Sequence, residues 1–391
     1  MDLTPGGKLD LRGTVVDTAL WASIRASATA PDGTVRLGRC WFENATFEGV
    51  ALNGVRFDGD VSFDGARFRG PTTFFGAAFT GHVSFHRARF LGNVSFFEAR
   101  FGRHVCFTET SFEGDALFTG AVWESDASFQ SAWFGGAADF DHSAFHRDAL
   151  MQDAHFRSVL SFRRARVGRH LLLDRARFRD RAWLGPLTAG GRLGLDASRA
   201  ARSVKIDAVA SSVTARDAVF RTARLRLPGT PADLTSLTAQ ELVVEAASAL
   251  LPGVTSTRTA LHALHLDSCG FASADSPDLG ELSLSGCTFA GGAPGEAGQD
   301  VSDLYLGLAA ASDDPGQARA LRYRALELRR KSEESRWDRA MLALCWATSG
   351  YGLRAGRTAA TATVLAAVLI VAIVVVSATT GHPVNRLAHH G

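Results

Sequence analysis

The chain has 391 residues, of which 46% are hydrophobic, so it is too long for one ordinary globular domain and too apolar for a disordered chain. Its 42 basic residues nearly balance its 40 acidic residues, which argues against a general nucleic-acid binder, because such proteins are strongly basic, and equally against an acidic mimic of DNA. The five cysteines form no CxxC pair and predict no disulfide framework.

Residues 1–39 are predicted to form a short strand followed by a capping helix. The strand covers 9–13, and residues 17–28 have the apolar spacing of an amphipathic helix. The open end of a repeat structure needs cover, so we interpret this segment as the cap of the repeats that follow. Because residues 1–7 lack the basic start and the apolar run of a secretory signal, we expect synthesis into the cytosol.

Residues 40–184 are predicted to form the regular part of the repeat, which starts in plain fives at 40–49, and from 57 to 184 two apolar positions each recur every eleven residues. One series starts at Phe63 and the other, six residues earlier, at Phe57; their 24 positions hold 19 of the 26 phenylalanines. A small or β-branched residue, such as Val61 or Ala66, comes two residues before each member. An inward pair at this spacing has the period of a β-strand, and the Gly, Asp, Glu or Arg that follows supplies a corner. The pattern predicts a β-repeat architecture.

The repeat units 66–70 (ARFRG) and 77–81 (AAFTG) resemble the pentapeptide-repeat family. The resemblance implies an all-β solenoid, a right-handed quadrilateral β-helix with one pentapeptide on each face. Every second unit of this chain carries one extra residue, which predicts coils of about 22 residues with alternate corners enlarged. The stretch 57–184 should then form roughly six coils and extend about 30 Å.

The repeat becomes less regular after residue 184. We expect degenerate β-helix coils over 185–290, with excursions at the corners 228–231 and 251–253. Residues 291–357 are predicted to form a linker, a helical hairpin and an interfacial helix. The hairpin helices are expected at 300–311 and from 315 to about 335, where Asp and Pro make a good helix start.

Residues 358–380 are predicted to form a single transmembrane helix, followed by a short tail at 381–391. No Lys, Arg, Asp or Glu occurs in 358–383, and this run is long enough to cross a bilayer; the alternative is a buried helix of a soluble domain. Basic residues stay on the cytoplasmic side, and they are concentrated before the run, so we expect a single-pass protein of the cell membrane with a cytoplasmic β-helix. The residues expected at the membrane interface are Trp337, Trp346, Tyr351, Arg354 and Arg357.

The segments 323–330 and 349–354, which precede the apolar tail, resemble the membrane-anchored bacterial branch of the same family. Some members of that branch are named membrane-associated oxidoreductase. The chain has no GxGxxG between a strand and a helix, no GxxxxGK[ST] and no HExxH. His104 and Cys106 lie close in sequence, but a stacked β-wall offers a thiol no pocket that would orient a base. The sequence therefore predicts no catalytic residue and no cofactor.

One corner of the predicted coils collects Asp and His, because every second extra residue stacks there. Side chains of these types could share a metal ion, although Asp and His also tolerate corner backbone angles, which is the interpretation that we favour. The six weak candidates for a metal site are Asp60, His82, His104, Asp126, Asp148 and His170.

A second pattern is an arginine-rich stretch within 155–181. It is expected to form a cationic band about one coil tall. The band is either a solvated surface with scattered ion pairs or a docking site for an acidic partner or anionic lipid headgroups. Its candidate partner-binding residues are Arg157, Arg163, Arg164, Arg166, Arg169, Arg175, Arg177 and Arg179.

Together these patterns favour a non-enzymatic, membrane-tethered scaffold that presents a cytoplasmic β-helix to a macromolecular partner. We expect that partner to be a protein and not nucleic acid. The sequence is also compatible with a homo-oligomer. One alternative is a membrane-associated oxidoreductase or other enzyme. The other is a DNA mimic that shields gyrase, a role that some pentapeptide-repeat proteins play.

Overall fold

The computed structural model describes residues 4–262, 281–285, 305–306, 309 and 315–332. The chain divides into two compact units, Met1–Gly292 and Ala293–Gly391. Within the described residues, the first contains helix α1 (Thr18–Ala28) and one sheet of 36 strands, and the second contains helix α2 (Pro315–Ser332). The predicted interface residues Trp337, Trp346, Tyr351, Arg354 and Arg357 and the predicted span 358–380 lie outside the described residues.

The strands up to residue 178 have two or three residues each, whereas most later strands are longer. The short strands are β1 (Leu9–Asp10), β2 (Val15–Val16), β3 (Arg36–Leu37), β4 (Cys40–Trp41), β5 (Thr46–Glu48), β6 (Arg56–Phe57), β7 (Val61–Ser62), β8 (Arg67–Arg69), β9 (Thr72–Thr73), β10 (Ala78–Phe79), β11 (Val83–Ser84), β12 (Arg89–Phe90), β13 (Val94–Ser95), β14 (Arg100–Phe101), β15 (Val105–Cys106), β16 (Ser111–Phe112), β17 (Ala116–Leu117), β18 (Val122–Trp123), β19 (Ala127–Ser128), β20 (Trp133–Phe134), β21 (Ala138–Asp139), β22 (Ala144–Phe145), β23 (Ala149–Leu150), β24 (His155–Phe156), β25 (Leu160–Ser161), β26 (Arg166–Val167), β27 (Leu171–Leu172) and β28 (Arg177–Phe178). The later strands are β29 (Ala182–Ala189), β30 (Arg192–Gly194), β31 (Arg199–Val209), β32 (Ser212–Thr214), β33 (Val219–Asp233), β34 (Thr238–Leu250), β35 (Thr255–His262) and β36 (Glu281–Ser285).

From β6 onward the short strands stack into coils of constant length, whereas the coils before β6 differ in length. Ala78 in β10 is the parallel register partner of Arg56 in β6 and of Arg100 in β14, and the neighbouring strands repeat this offset. Each strand pairs with the fourth strand after it, so each coil has four sides. The predicted all-β solenoid is confirmed, and the offset between register partners equals the predicted coil length.

The four sides are named here after the coil that begins at Val61. Face A contains β7 and its register partners, face B contains β8, face C contains β9 and face D contains β10. Along the chain the faces follow one another in that order, so face B and face D lie on opposite sides of the coil.

The inside of the solenoid is filled by aromatic rings. The Phe63 and Phe85 rings, one coil apart on one face, stack with centroids 4.7 Å apart, whereas Phe63 meets Phe74, which follows the opposite face C, edge-on at 6.0 Å. Strand separation sets the first distance, and offset-stacked and edge-to-face contacts are the favoured arrangements of aromatic pairs. Rings of both series are completely buried. Because the inward pairs repeat every eleven residues, every coil closes on the same core.

Corners after faces A and C are tight turns. The Ala88 amide donates to the Phe85 carbonyl at 2.9 Å, and Arg87 between them has a φ of 55°, so the turn has the positive φ of type II at its third residue. At the corners after faces B and D, successive large inward residues are six positions apart, and the backbones of neighbouring coils approach each other closely. A Cβ on Gly92 would lie 2.6 Å from the Gly70 carbonyl carbon of the coil below.

Helix α1 takes the place of a first strand on face C, because it follows β2 on face B and precedes β3 on face D. The Asp17 carboxylate caps its start by accepting from the Leu20 amide at 2.8 Å. Trp21 and Ile24 are buried, and the Trp21 indole N–H donates to the Ala51 carbonyl at 2.9 Å. The helix therefore covers the first coil where the sequence predicted a cap.

Coils shorten towards the end of the solenoid. Arg199 pairs with Val219, and Thr238 pairs with Thr255, so register partners there are closer in sequence than in the regular coils. Residues 228–231, predicted as an excursion at a corner, are part of the continuous strand β33, whose register with β34 shifts between Leu227 and Pro231. β33 therefore carries extra residues at the predicted position, and the strand absorbs them as an irregularity without leaving the sheet.

In the second unit, α2 begins at the predicted residue Pro315, and its Leu321 and Ala325 are buried. Most of the helix predicted at 300–311 lies outside the described residues. Within the described part of the chain, no helix combines the length and the apolar character needed to cross a membrane.

Candidate binding surface

Outward side chains form columns along the solenoid, because successive coils are in register about 4.8 Å apart. The columns differ in chemistry from face to face. The middle of face A carries Ser62, Ser84, Cys106 and Ser128. Face C exposes large apolar side chains in its first coils, and face B is cationic, as described below. A single repeating scaffold therefore presents four different walls.

The arginine-rich stretch is wound around the whole solenoid, because it is slightly longer than one coil. Arg157, Arg177 and Arg179 lie on face B and Arg166 lies on face D. The others lie at or near corners: Arg163 and Arg164 after face C, Arg169 after face D and Arg175 after face A. The predicted candidates thus form a band that passes all four faces and do not share one surface.

Three arginines of this band are neutralised by carboxylates. Arg163 pairs with Asp141 at 3.0 Å and lies 5.1 Å from the Trp183 ring centroid. Arg169 pairs with Asp148 at 3.7 Å.

Arg175 pairs with Asp153 at 2.8 Å, and its hydrogen bond lowers the pKa of that carboxyl. These paired side chains stabilise neighbouring coils and are less available to a partner than the remaining arginines of the band.

The middle column of face B contains no acidic residue. Arg67, Arg89, Arg177 and Arg199 are exposed, and none forms an ion pair among the residues that the structure describes. In order, the column is Val15, Thr46, Arg67, Arg89, Ser111, Trp133, His155, Arg177, Arg199, Val219, Thr238 and Thr255.

A second column on face B lies two residues further along each strand. Its Arg157, Arg179 and Arg221 are exposed and also form no ion pair within the described ranges. Between residues 48 and 240 this column has two carboxylates, Glu48, which pairs with Arg69 at 3.1 Å, and Glu113. We refer to seven residues as the face B arginines: Arg67, Arg89, Arg157, Arg177, Arg179, Arg199 and Arg221.

Trp133 lies near the middle of face B. A Cβ on Gly135 would lie 2.6 Å from Cη2 of this indole, so the ring lies against the strand over the glycine. Trp133 is half-buried, and Leu91 in the second column is 42% exposed. Face B therefore combines arginines with apolar surface.

Sequence reasoning missed Arg67, Arg89, Arg199 and Arg221. A count along a continuous stretch of chain cannot find them, because neighbours on one face are separated by a full coil of sequence. The signal was present in the sequence, since Arg67 and Arg89 differ by one coil and so do Arg177 and Arg199.

The predicted corner column of Asp and His exists, and its side chains bind the coils together. Asp60 accepts from the His82 amide at 3.0 Å, Asp148 from the His170 amide at 3.0 Å, and His170 Nδ1 from the Arg192 amide at 2.9 Å. No group of three or more His, Cys, Asp or Glu side chains suited to a metal ion occurs in the described ranges. The hydrogen bonds support the structural interpretation of the column.

Face A carries an open groove of about 460 Å³, lined in part by His82, His104 and Cys106. Among the described residues no hydrogen bond joins Cys106 to either histidine. Cys40 lies at the same face but points inward, and burial raises the pKa of its thiol to about 12.

Comparison with known proteins agrees with the coil geometry. Residues 52–100 and 107–155 match a family model described as pentapeptide repeats in nine copies. No curated protein and no solved structure matches the chain. The matched residues are coils of the regular solenoid.

Proposed function

We propose that this chain, a pentapeptide-repeat protein, is a membrane-tethered, non-enzymatic scaffold that presents its β-helix to a protein partner in the cytoplasm. The completely buried aromatic rings of the described coils support a role for the outer walls, because the inward side chains are used for packing. The uncharged run 358–383 supports the tether.

The observation that carries the proposal is an exposed apolar patch at the edge of face C. Phe75 and Phe97 are 47% and 37% exposed, and their rings stack with centroids 5.7 Å apart. Leu117, 37% exposed, is the register partner of Ser95 and lies diagonally beside Phe97. Contiguous exposed aromatic surface is typical of protein docking sites, whereas single exposed apolar residues are ordinary.

Photocrosslinking in intact membranes tests the partner. We expect a discrete crosslinked species with the wild-type chain and its loss in the double variant Phe75→Ser/Phe97→Ser. The matched control is Val209→Ser/Leu250→Ser, which removes two exposed apolar side chains outside faces B and C. Retention of the species in the phenylalanine variant, or its loss in both variants, would remove face C from the proposal.

Membrane extraction tests the tether. The full chain should stay in the membrane pellet after an alkaline wash, and a variant lacking 358–380 should be released. A wild-type chain that salt alone extracts would contradict the tether. A chromophore retained by the purified full chain would instead favour the oxidoreductase alternative.

A further inference from the structure

We propose that the solenoid lies with face B flat on anionic lipid headgroups, its axis parallel to the bilayer plane. This inference rests on the proposed function, because the tether supplies the bilayer. The face B arginines would contact the headgroups. Face C, which adjoins face B, would stay open to a protein partner.

Charge is the first argument. The face B arginines are exposed and form no ion pair with a described residue, and no carboxylate stands in their middle column. In the corner column before face B, by contrast, charges pair with each other, as in Arg87 with Glu109 at 2.8 Å. On face D, Arg56 pairs with Asp58 at 2.5 Å. Two other arginines of face D, Arg100 and Arg166, form no ion pair with a described residue, against the seven face B arginines. Face B therefore has the larger number of unpaired cations available to an external anionic surface.

Geometry is the second argument. Arg67 and Arg199 are separated by six coils, which is about 29 Å along the axis. The middle-column arginines form two groups, 67 with 89 and 177 with 199, and the positions between them carry no arginine. A short acidic segment could engage only one group. A planar anionic surface reaches both groups at once.

The residues between the two groups favour lipid over nucleic acid. A nucleic-acid strand lying along the middle column would meet no arginine of this column at its central phosphates, because the positions there are Ser111, Trp133 and His155. The indole of Trp133 lies flat on face B, and the exposed Leu91 is on the same face. Amphipathic and apolar side chains of this kind are favoured at the headgroup level of a bilayer, together with arginine.

Arginine footprinting of the full chain tests the inference. The chain is reconstituted in nanodiscs of phosphatidylcholine with or without phosphatidylserine and treated with phenylglyoxal, and modification is read by mass spectrometry. We expect Arg177 and Arg199 to react several-fold more slowly in the anionic discs. Arg100 and Arg166 are the matched control, because they are exposed middle-column arginines on the opposite face D that also form no ion pair with a described residue. They should react equally in both discs.

Variants make the test quantitative. Each arginine near an anionic surface changes the binding constant roughly fivefold. The variant Arg177→Ala/Arg199→Ala should therefore need a several-fold higher phosphatidylserine fraction before the reaction of Arg67 with phenylglyoxal falls by half. The control variant Arg100→Ala/Arg166→Ala should leave this fraction unchanged. Equal reactivity of both faces, equal shielding in neutral discs, or stronger shielding by added single-stranded DNA would each overturn the inference.

Failure of the tether is distinguishable from failure of face B. If an alkaline wash removes the chain from membranes, the tether is wrong. The footprint is then repeated with added phosphatidylserine vesicles. Shielding of Arg177 and Arg199 by the vesicles would still support face B as a lipid-binding surface, and its absence would overturn the inference independently.

Discussion

Twelve of the described residues other than glycine have left-handed backbone angles, and all of them lie in the two tight-turn corner columns. A left-handed conformation costs an L-residue roughly 1–2 kcal/mol. The tight turn requires a positive φ at its third residue whichever residue is present, so Arg87, Glu109 and Ala197 all have this strained backbone conformation. At Arg87 and Glu109 an ion pair of 2.8 Å offsets part of it. Ala197 is exposed and has no side-chain contact of that kind.

Ala197→Gly should therefore raise the free energy of unfolding by roughly 0.5–1 kcal/mol. Relief of the left-handed strain exceeds the extra entropy that glycine gives the unfolded chain. Chemical denaturation measures the change. Ala121→Gly is the control, since Ala121 is completely buried without a positive φ, and it should lower stability. A loss of stability in both variants would contradict the strain argument.

The two cysteines of the described ranges should differ in reactivity. Cys40 is 1% exposed and its thiol donates to the Gly38 carbonyl at 3.4 Å, whereas Cys106 is half-buried on face A. With its pKa raised to about 12 by burial, Cys40 is thiolate in only about one molecule in ten thousand at pH 8. Alkylation of the native chain should modify Cys106, and Cys40 should react only after unfolding. Peptide mass spectrometry decides this, and similar native rates would be the contrary result.

At the scale of the coil, the core was predictable from sequence and the surface only in part. Inward positions such as Phe63 and Phe74 repeat every eleven residues, because opposite faces bury equivalent pairs. Outward positions repeat only once in each full coil and are free to differ between faces. Arg67 and Arg199 therefore lie in the same column of face B, although no local sequence pattern connects them. The strand irregularity near Pro231 depends on pairing with β34 and was equally hidden.

Trp123 is an exception within the aromatic core that can be tested. Its ring stacks on Phe145 with centroids 4.0 Å apart, and among the described residues its buried indole N–H finds no hydrogen-bond acceptor. Removing an unpartnered buried donor recovers about 1–3 kcal/mol, which offsets the lost apolar area.

We expect Trp123→Phe to change the free energy of unfolding by less than about 1 kcal/mol. Phe101→Ala, one coil away on the same face, leaves a cavity and should cost about 3–5 kcal/mol. Urea titration of both variants gives the comparison. A cost for Trp123→Phe close to that of Phe101→Ala would mean that the indole N–H is not a liability.

At the scale of the whole molecule, the repeat allows a deletion to change which face carries the arginines while the fold is kept. Deleting residues 105–126 removes one coil and joins His104 to Ala127, the register partner of Val105, so every column continues unchanged. Deleting residues 105–115 removes half a coil and joins His104 to Ala116, whose strand then continues face A in place of face C. The inward pattern repeats every eleven residues, so both shortened chains should keep a filled core.

The half-coil deletion turns everything beyond it by half a turn, so that Arg67 and Arg89 stay on face B while Arg177 and Arg199 move to the side of face D. In anionic nanodiscs the variant lacking 105–126 should shield both groups from phenylglyoxal, and the variant lacking 105–115 should shield one group but not both. Loss of net positive charge cannot explain such a result, because the half-coil deletion removes three acidic residues and no basic one. Circular dichroism and thermal unfolding are the controls for folding, and both variants should give the β-sheet spectrum and cooperative unfolding of the full chain. Simultaneous shielding of both groups in the half-coil variant would show that charge alone, and not one continuous cationic face, holds the solenoid on the bilayer.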